Sequence, residues 1–194
     1  IGELALALEN LRKTKEESEV SQWIKLALAK IIDGVKNAER PEDFAFEFLK
    51  VLKPPLEFNA AIFYFMDSMT GDPRIASVWG VDPDALSAAE KNAAEGFVRE
   101  SIRSLSTLIV DSVPAGYLKI KSGLGEARPA SIVTMPIHAN GQTRACAEMA
   151  FFNSLDARQS GLIDAISSAI APYLMNLERN IRTRDLLEET EKLA

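Results

Sequence analysis

The sequence predicts an α+β domain: a central antiparallel sheet of five to six strands, with the first and last helices packed together on one face. Three observations carry this expectation. The elements read helix–helix–strand–strand–helix–strand–strand–strand–helix. Asn140-Gly141 separates two apolar runs and is a strong hairpin signal, because both central positions of a type I′ turn need positive φ. Both ends of the chain also carry apolar residues at helical spacing beside charged stretches.

The chain opens at Ile1, without Met and in mid-pattern, with Leu4, Leu8 and Leu11 on one helical face. Arg12 with Glu16, Lys13 with Glu17 and Lys15 with Glu19 set opposite charges four apart, which supports a solvated helix. The apolar face is expected to resume at Val20, Ile24, Leu28, Ile31 and Val35, giving one helix from about Leu4 to Lys36. Pro41 suits the first position of a second helix, and Glu42 and Asp43 suit the positive end of its dipole. Phe44, Phe48, Leu49 and Leu52 give that helix a buried face, and Pro54-Pro55 is expected to stop it. Asn59 to Met66 is almost continuously apolar and too short for a helix between its breakers, so it reads as a central strand covered on both faces.

Thr70-Gly71-Asp72-Pro73 turns the chain into a second strand, Arg74 to Trp79. Pro83 to Leu105 reads as an alanine-rich helix containing Phe97, Val98 and Ile102. Thr107 to Val113 reads as a short strand and Pro114 to Ile120 as a short helix. Ser131 to Ala139 and Gln142 to Phe152 are the two hairpin strands. From Asp156, a stripe of Leu162, Ile166, Ile170, Tyr173, Leu174, Leu177 and Ile181 marks one helix running to Ala194. Its second half is charged, with Leu186, Leu187 and Leu193 as its large apolar residues. A helix that begins in a core and leaves as a charged rod needs a partner helix or a continuation. The middle helix and an irregular segment from Asp111 to Pro129 are expected to cover the sheet face opposite the terminal helices.

Composition narrows the function. The length of 194 residues suits one domain with helical extensions. A net charge of −6 argues against nucleic-acid binding, and no Lys/Arg stripe with interleaved aromatics occurs. The single cysteine, Cys146, excludes a disulfide framework and a four-thiolate zinc site, and suits a reducing compartment. No apolar stretch approaches the ~20 residues of a membrane span, so direct membrane contact is not expected of this chain. One His, one Cys and carboxylates without calcium-loop spacing leave no expected metal site.

Three strings make the pattern specific: Val110-Asp111-Ser112-Val113-Pro114-Ala115-Gly116-Tyr117, Ser122-Gly123-Leu124-Gly125-Glu126-Ala127 and Ile132-Val133-Thr134-Met135-Pro136-Ile137. With Glu95-Gly96-Phe97-Val98 and Ala147-Glu148-Met149-Ala150, they make the chain from about Trp23 to Leu177 resemble the GAF sensor domain (PAS/GAF type). The likeness is to GAF domains placed before histidine kinases in bacterial membrane receptors. Ile1-Gly2-Glu3-Leu4-Ala5 resembles the end of a HAMP domain, a coiled-coil relay just inside the membrane. Leu186-Leu187-Glu188-Glu189-Thr190-Glu191 resembles a linker towards a kinase or other output domain.

The resemblance implies a division into the end of an upstream HAMP or signalling helix (1–20), a GAF domain (21–177, its last helix starting near 156) and an outgoing signalling helix (178–194). It implies a non-catalytic sensory or relay module in the cytoplasmic portion of a membrane-anchored bacterial receptor, with HAMP and kinase domains in cis. A parallel homodimer is expected through Leu4, Leu8, Leu11, Tyr173, Leu174, Leu177 and Ile181. The alternative is a small-molecule receptor holding a planar or anionic ligand of unknown identity opposite the terminal helices. No cofactor is expected.

Within that pocket the candidate ligand contacts are Glu148, Tyr117, Arg128, Trp79, Phe97 and Arg99. Glu148 lies mid-strand among apolar residues, and a buried carboxylate needs hydrogen bonds, a cation or a ligand. In GAF domains that bind cyclic nucleotides, a Glu on the similar strand faces the ligand; a structural Glu held by backbone N–H groups or Arg128 is the other reading. The N-K-x-F-D-E signature of cyclic nucleotide binding is absent, the local string being Asn153-Ser154-Leu155-Asp156. Where many relatives carry G-x-G-x-x-G, this chain has Ala94, Gly96 and Arg99, and Arg99 either points to solvent or narrows the pocket. Where relatives often carry an Arg, Ala130 stands, with Arg128 two positions earlier. Tyr117, Trp79 and Phe97 are read as walls of the non-helix face or as plain core.

Counted from a two-residue turn, His138 should pair with Thr143 and Cys146 with Met135, about 10 Å or more apart along the strands, which is too far for a Cys–His dyad. Cys146 therefore reads as a small buried hydrophobe. GAF-type methionine sulfoxide reductases use more than one cysteine, and a bilin-attachment cysteine lies elsewhere in related photoreceptors.

Overall fold

The computed structural model describes residues 2–81, 86, 93, 95–113, 120–122 and 125–193. Asn140 and Gly141 both take positive φ, 54° and 75°, and close the hairpin between β6 (Ser131–Ala139) and β7 (Gln142–Phe151). β7 then pairs on its other edge with β1 (Ala60–Met66), β1 with β2 (Pro73–Trp79), and β6 with β3 (Leu108–Asp111). Among the described residues the main sheet has five strands in the order β2-β1-β7-β6-β3, all antiparallel. The GAF-like α+β expectation, with a five-stranded sheet under the terminal helices, holds. Strand β7 lies at the centre.

Alternation sends one set of side chains to each face. Ala61, Phe63, Val133, Met135, Ala147 and Met149 meet three helices: α1 (Gly2–Val35), α2 (Pro41–Leu56) and α4 (Ala157–Leu193). α3 (Phe97–Ser104) serves the opposite face, where Ile62, Tyr64 and Cys146 are buried with Val98. The helix face carries the larger core. There Phe48 meets Phe63 edge-on with centroids 5.2 Å apart, and Phe44 packs against both.

α4 starts with a reciprocal cap. Gln159 N–H donates to Asp156 Oδ1 over 2.7 Å, Asp156 N–H donates to Gln159 Oε1 over 3.0 Å, and Gln159 Nε2 reaches the Leu56 carbonyl at the end of α2. Further along, α4 packs on α1. Gly161 lies against Ile24, and twelve residues later on each helix Tyr173 lies within electrostatic reach of Lys36. Arg184 Nη2 then donates to the Glu39 carbonyl over 3.1 Å. The two helices therefore run parallel, offset so that their free ends project in opposite directions. Residues 2–19 of α1 and 182–192 of α4 are exposed throughout.

Several expectations change. Pro54 and Pro55 lie inside α2, which ends at Leu56. A proline withholds its own N–H, yet its fixed φ is helical, so the turn is completed before Glu57 turns left-handed at φ 58° and bonds back to Lys53. The expected helix from Pro83 to Leu105 is broken at Gly96, whose ψ of −147° is not helical; most of residues 82–94 lie outside the described set. The segment expected to be irregular holds a small hairpin, β4 (Ile120–Ser122) with β5 (Gly125–Ala127). Of the short helix expected over Pro114 to Ile120, residues 114–119 lie outside the described set and Ile120 is in β4.

The stripe of Leu4, Leu8 and Leu11 does not continue into the buried face of α1. At about 100° per residue it lies roughly opposite Ala27, Ile31 and Val35, and in line with the exposed Leu26. The charged run in between hides this change of side.

Candidate functional site

Glu148 sits in the middle of the central strand, with Thr134 of β6 on one side and Ile62 of β1 on the other. Alternation turns it away from the terminal helices, and it is half-buried there. Tyr64, fully buried on β1, donates its hydroxyl hydrogen to Glu148 Oε2 over 3.1 Å. A charge-assisted bond of this kind offsets the cost of removing the carboxylate from water.

α3 lies across the same face and is pinned to it by hydroxyls. Ser101 Oγ is 2.8 Å from the Ser106 carbonyl and 3.2 Å from the Thr134 carbonyl, and is fully buried. Thr134 Oγ1 reaches the Phe97 carbonyl, and Thr143 Oγ1 donates to the Ile102 carbonyl over 3.2 Å. The site is thus a short helix, its Val98 and Ser101 buried, laid over β6 and β7 beside one half-buried carboxylate.

Cys146 neighbours Glu148 on this face. Burial pushes its thiol well above the ordinary range, and the negative charge of Glu148 pushes it further. A thiol held protonated is a poor nucleophile. His138 pairs with Thr143 as expected, but Cys146 stands opposite Pro136 and not Met135, because the register shifts between Ile137 and His138. Among the described residues no group of three or more His, Cys, Asp and Glu is placed to hold a metal ion. No described helix is long and apolar enough to cross a membrane.

The other candidate contacts are scattered. Trp79, expected on the pocket face, lies on the helix-covered face, edge-on to Phe58 at 6.5 Å; its strand partner is Ala61, whose side chain also points there. Arg99 reaches Asp72 in the β1–β2 turn, with Nη1 3.5 Å from Oδ1, and is partly exposed. Phe97 opens α3 and is half-buried; Arg128 is exposed in the approach to β6. Tyr117 lies outside the described residues. Of the residues expected between two copies, Leu4, Leu8 and Leu11 are exposed, whereas Tyr173 and Ile181 pack against the main core. Leu174 and Leu177 are buried within the chain's own core, which removes both from any surface between copies.

The sequence reading missed Tyr64. The signal was available: an alternating strand that sends Glu148 to one face must also bring a residue of its neighbour there. It also missed a groove of about 750 Å³ on the helix side, between α1, α2 and the start of α4, lined by Trp23, Leu26, Val51, Pro54 and Arg158 among others.

The sequence model of the GAF domain family matches residues 39–174. No curated protein matches the chain. Among solved structures, the GAF domain of an Acinetobacter phosphoenolpyruvate-protein phosphotransferase superposes with a TM-score of 0.62 at 9% identity, over 79% of this chain and 93% of that one. Free methionine-R-sulfoxide reductase from Neisseria meningitidis, in complex with its substrate, gives 0.61 at 13% identity over 80% and 90%. The GAF domain of a candidate sensor histidine kinase from Pseudomonas syringae pv. tomato gives 0.54 at 11% identity over 95% and 99%. At these identities the likeness speaks of fold alone.

Proposed function

The chain belongs to the GAF domain family, whose members are sensory and regulatory modules, and we propose that this one is a non-catalytic relay in a bacterial signalling receptor of the histidine kinase type. The observation that carries the reading is the parallel contact of α1 and α4, with Ile24 beside Gly161 and Lys36 near Tyr173. A displacement of α1 along or about its axis meets α4 directly, and the free ends of the two helices point opposite ways. One packed pair with two arrangements is enough to pass a state from an upstream HAMP helix to a downstream kinase.

The division into residues 1–20, 21–177 and 178–194 follows from the same reading. It is supported by burial that begins at Val20 on α1 and fades after Ile181 on α4. A parallel homodimer, in the cytoplasmic portion of a membrane-anchored receptor, completes the proposal. The exposed stripe of Leu4, Leu8 and Leu11 supports a helical seam between copies. The raised thiol of the chain's single cysteine, Cys146, supports the non-catalytic part.

One observation favours a second reading, a small-molecule receptor: Glu148 is held by Tyr64 on the face that α3 covers. Native mass spectrometry of the purified chain separates the two. A dimer without added mass supports the relay. A dimer that releases a small molecule on activation makes it a ligand receptor. A clean monomer counts against the helical seam.

A further inference from the structure

Ile137 of β6 pairs with Ala145 of β7, but the next residue, His138, pairs with Thr143. Arg144 is therefore the extra residue of a β-bulge. Ala145 faces the terminal helices. Strict alternation would put Arg144 on the Glu148 face and Thr143 on the helix face. The bulge exchanges them. Thr143 bonds to the Ile102 carbonyl of α3, and Arg144 Nη1 lies 3.7 Å from Glu178 Oε2 on α4.

Two adjacent residues thus hold two helices on opposite faces of one sheet. Ser101 and Thr134 tie the same α3 to β6 beside Glu148. The buried side-chain polar atoms without a partner among the described residues are His138 Nδ1 and Arg144 Nε, and both belong to this bulge. Unpaired buried polar atoms mark a place where a second arrangement costs little, because it has bonds to gain.

Resting on the relay reading, we propose that the bulge at Arg144 is the joint that couples α3, over the Glu148 face, to the outgoing helix α4. Movement of α3 pulls on Thr143, reseats the bulge and shifts Arg144 against Glu178. The face around Glu148 then acts on α4 through the sheet, separately from the direct α1–α4 contact.

Hydrogen exchange of the whole chain, read by mass spectrometry, tests this. Thr143→Val removes the bond to α3 and touches nothing on α4. Exchange in residues 174–182 is expected to quicken about fivefold, the scale of one lost hydrogen bond. In an Arg144→Gln background, Thr143→Val is expected to leave α4 unchanged, and with Arg144 in place Thr143→Ser, which keeps the hydroxyl, is expected to keep the original protection. Faster exchange in α3 alone, an undiminished α4 response without Arg144, or an equal loss across β1 and β7 overturns the proposal. Ser101→Ala separates the two levels. If α4 answers Ser101→Ala but not Thr143→Val, the joint is wrong and the relay stands; if it answers neither, the route from α3 fails and only the α1–α4 contact is left to carry the relay.

Discussion

Tyr64 and Glu148 lie on neighbouring strands, and the phenol of one donates to the carboxylate of the other over 3.1 Å on the face away from the terminal helices. Tyr64→Phe keeps the buried ring and removes only the donor. A hydrogen bond to a charged group is worth about 1.5–3 kcal/mol, and that is the expected loss in urea unfolding. Glu148→Gln keeps an acceptor for Tyr64 and should cost less than Tyr64→Phe. The reverse order would mean that the carboxylate's charge is held by something other than the phenol.

Two glycines on α1 and α4 should respond in opposite ways to alanine. A Cβ on Gly34 would come within 2.7 Å of Val51 Cγ1 and 3.3 Å of its Cγ2, and a β-branched side chain has little room to yield. Gly34→Ala is expected to destabilise by about 1–3 kcal/mol. On Gly161 the Cβ would meet only Ile24 Cδ1, the far end of a flexible chain, at 2.9 Å. There the gain in helix propensity should prevail, and Gly161→Ala should raise stability by up to about 1 kcal/mol. Thermal midpoints of the two variants decide it.

Much of this fold was legible because local signals agreed with the final packing. Asn140-Gly141 set the hairpin, the apolar run at Asn59 to Met66 set a buried strand, and Asp156 with Gln159 set a helix start. What was not legible depends on one-residue events. The bulge at Arg144 moved Cys146 from Met135 to Pro136, and no residue type announces such a shift. The change of side along α1 was missed for a related reason: Leu4, Leu8 and Leu11 look continuous with Val20 and Ile24 until the angle is counted across the charged run. Site residues were least legible of all. Trp79 is a reasonable pocket wall by type, but its face was fixed by its pairing with Ala61.

Cys146 should be inert in the folded chain. Its thiol is buried and pushed above the ordinary range, first by burial and then by Glu148. A thiol reagent at pH 8 should label it only as fast as the chain opens, and at once in denaturant. Rapid labelling of the native chain would reopen the question of a reactive cysteine on this face.

The pH dependence carries a definite sign at Glu178. Its carboxyl is raised, chiefly by burial and against the opposing pull of Arg144. The folded chain therefore holds this proton at pH values where the unfolded chain has lost it. Its contribution to stability is full below the ordinary carboxylate range and declines as pH rises through the raised value. Glu178→Gln cannot titrate, so the stability of the native chain relative to this variant should fall as pH rises above the ordinary carboxylate range. Asp67 has the opposite sign. Backbone N–H groups of Thr70 and Met69 lower its carboxyl, so its contribution is present above the ordinary range and is lost as pH falls. Urea midpoints taken from well below the ordinary carboxylate range to well above it separate the two.

The dimer prediction must be made with residues that the fold itself does not need. Leu174 and Leu177 are buried in the main core, so Leu174→Gln would leave a polar group there and cost several kcal/mol whatever the oligomeric state. Loss of a dimer in that variant would carry no information about a seam. Leu4, Leu8 and Leu11 are 69%, 59% and 68% exposed, and they lie on the side of α1 turned away from the core. Changing all three to Gln should leave the thermal midpoint of an isolated domain almost untouched. In a dimer seamed along this stripe, the same change should convert dimer to monomer, and the midpoint should lose its dependence on concentration. Sedimentation equilibrium on the native chain and the triple variant gives the answer. A dimer that survives the triple change would move the seam to another surface, with the groove at Trp23, Leu26 and Pro54 the next face to test.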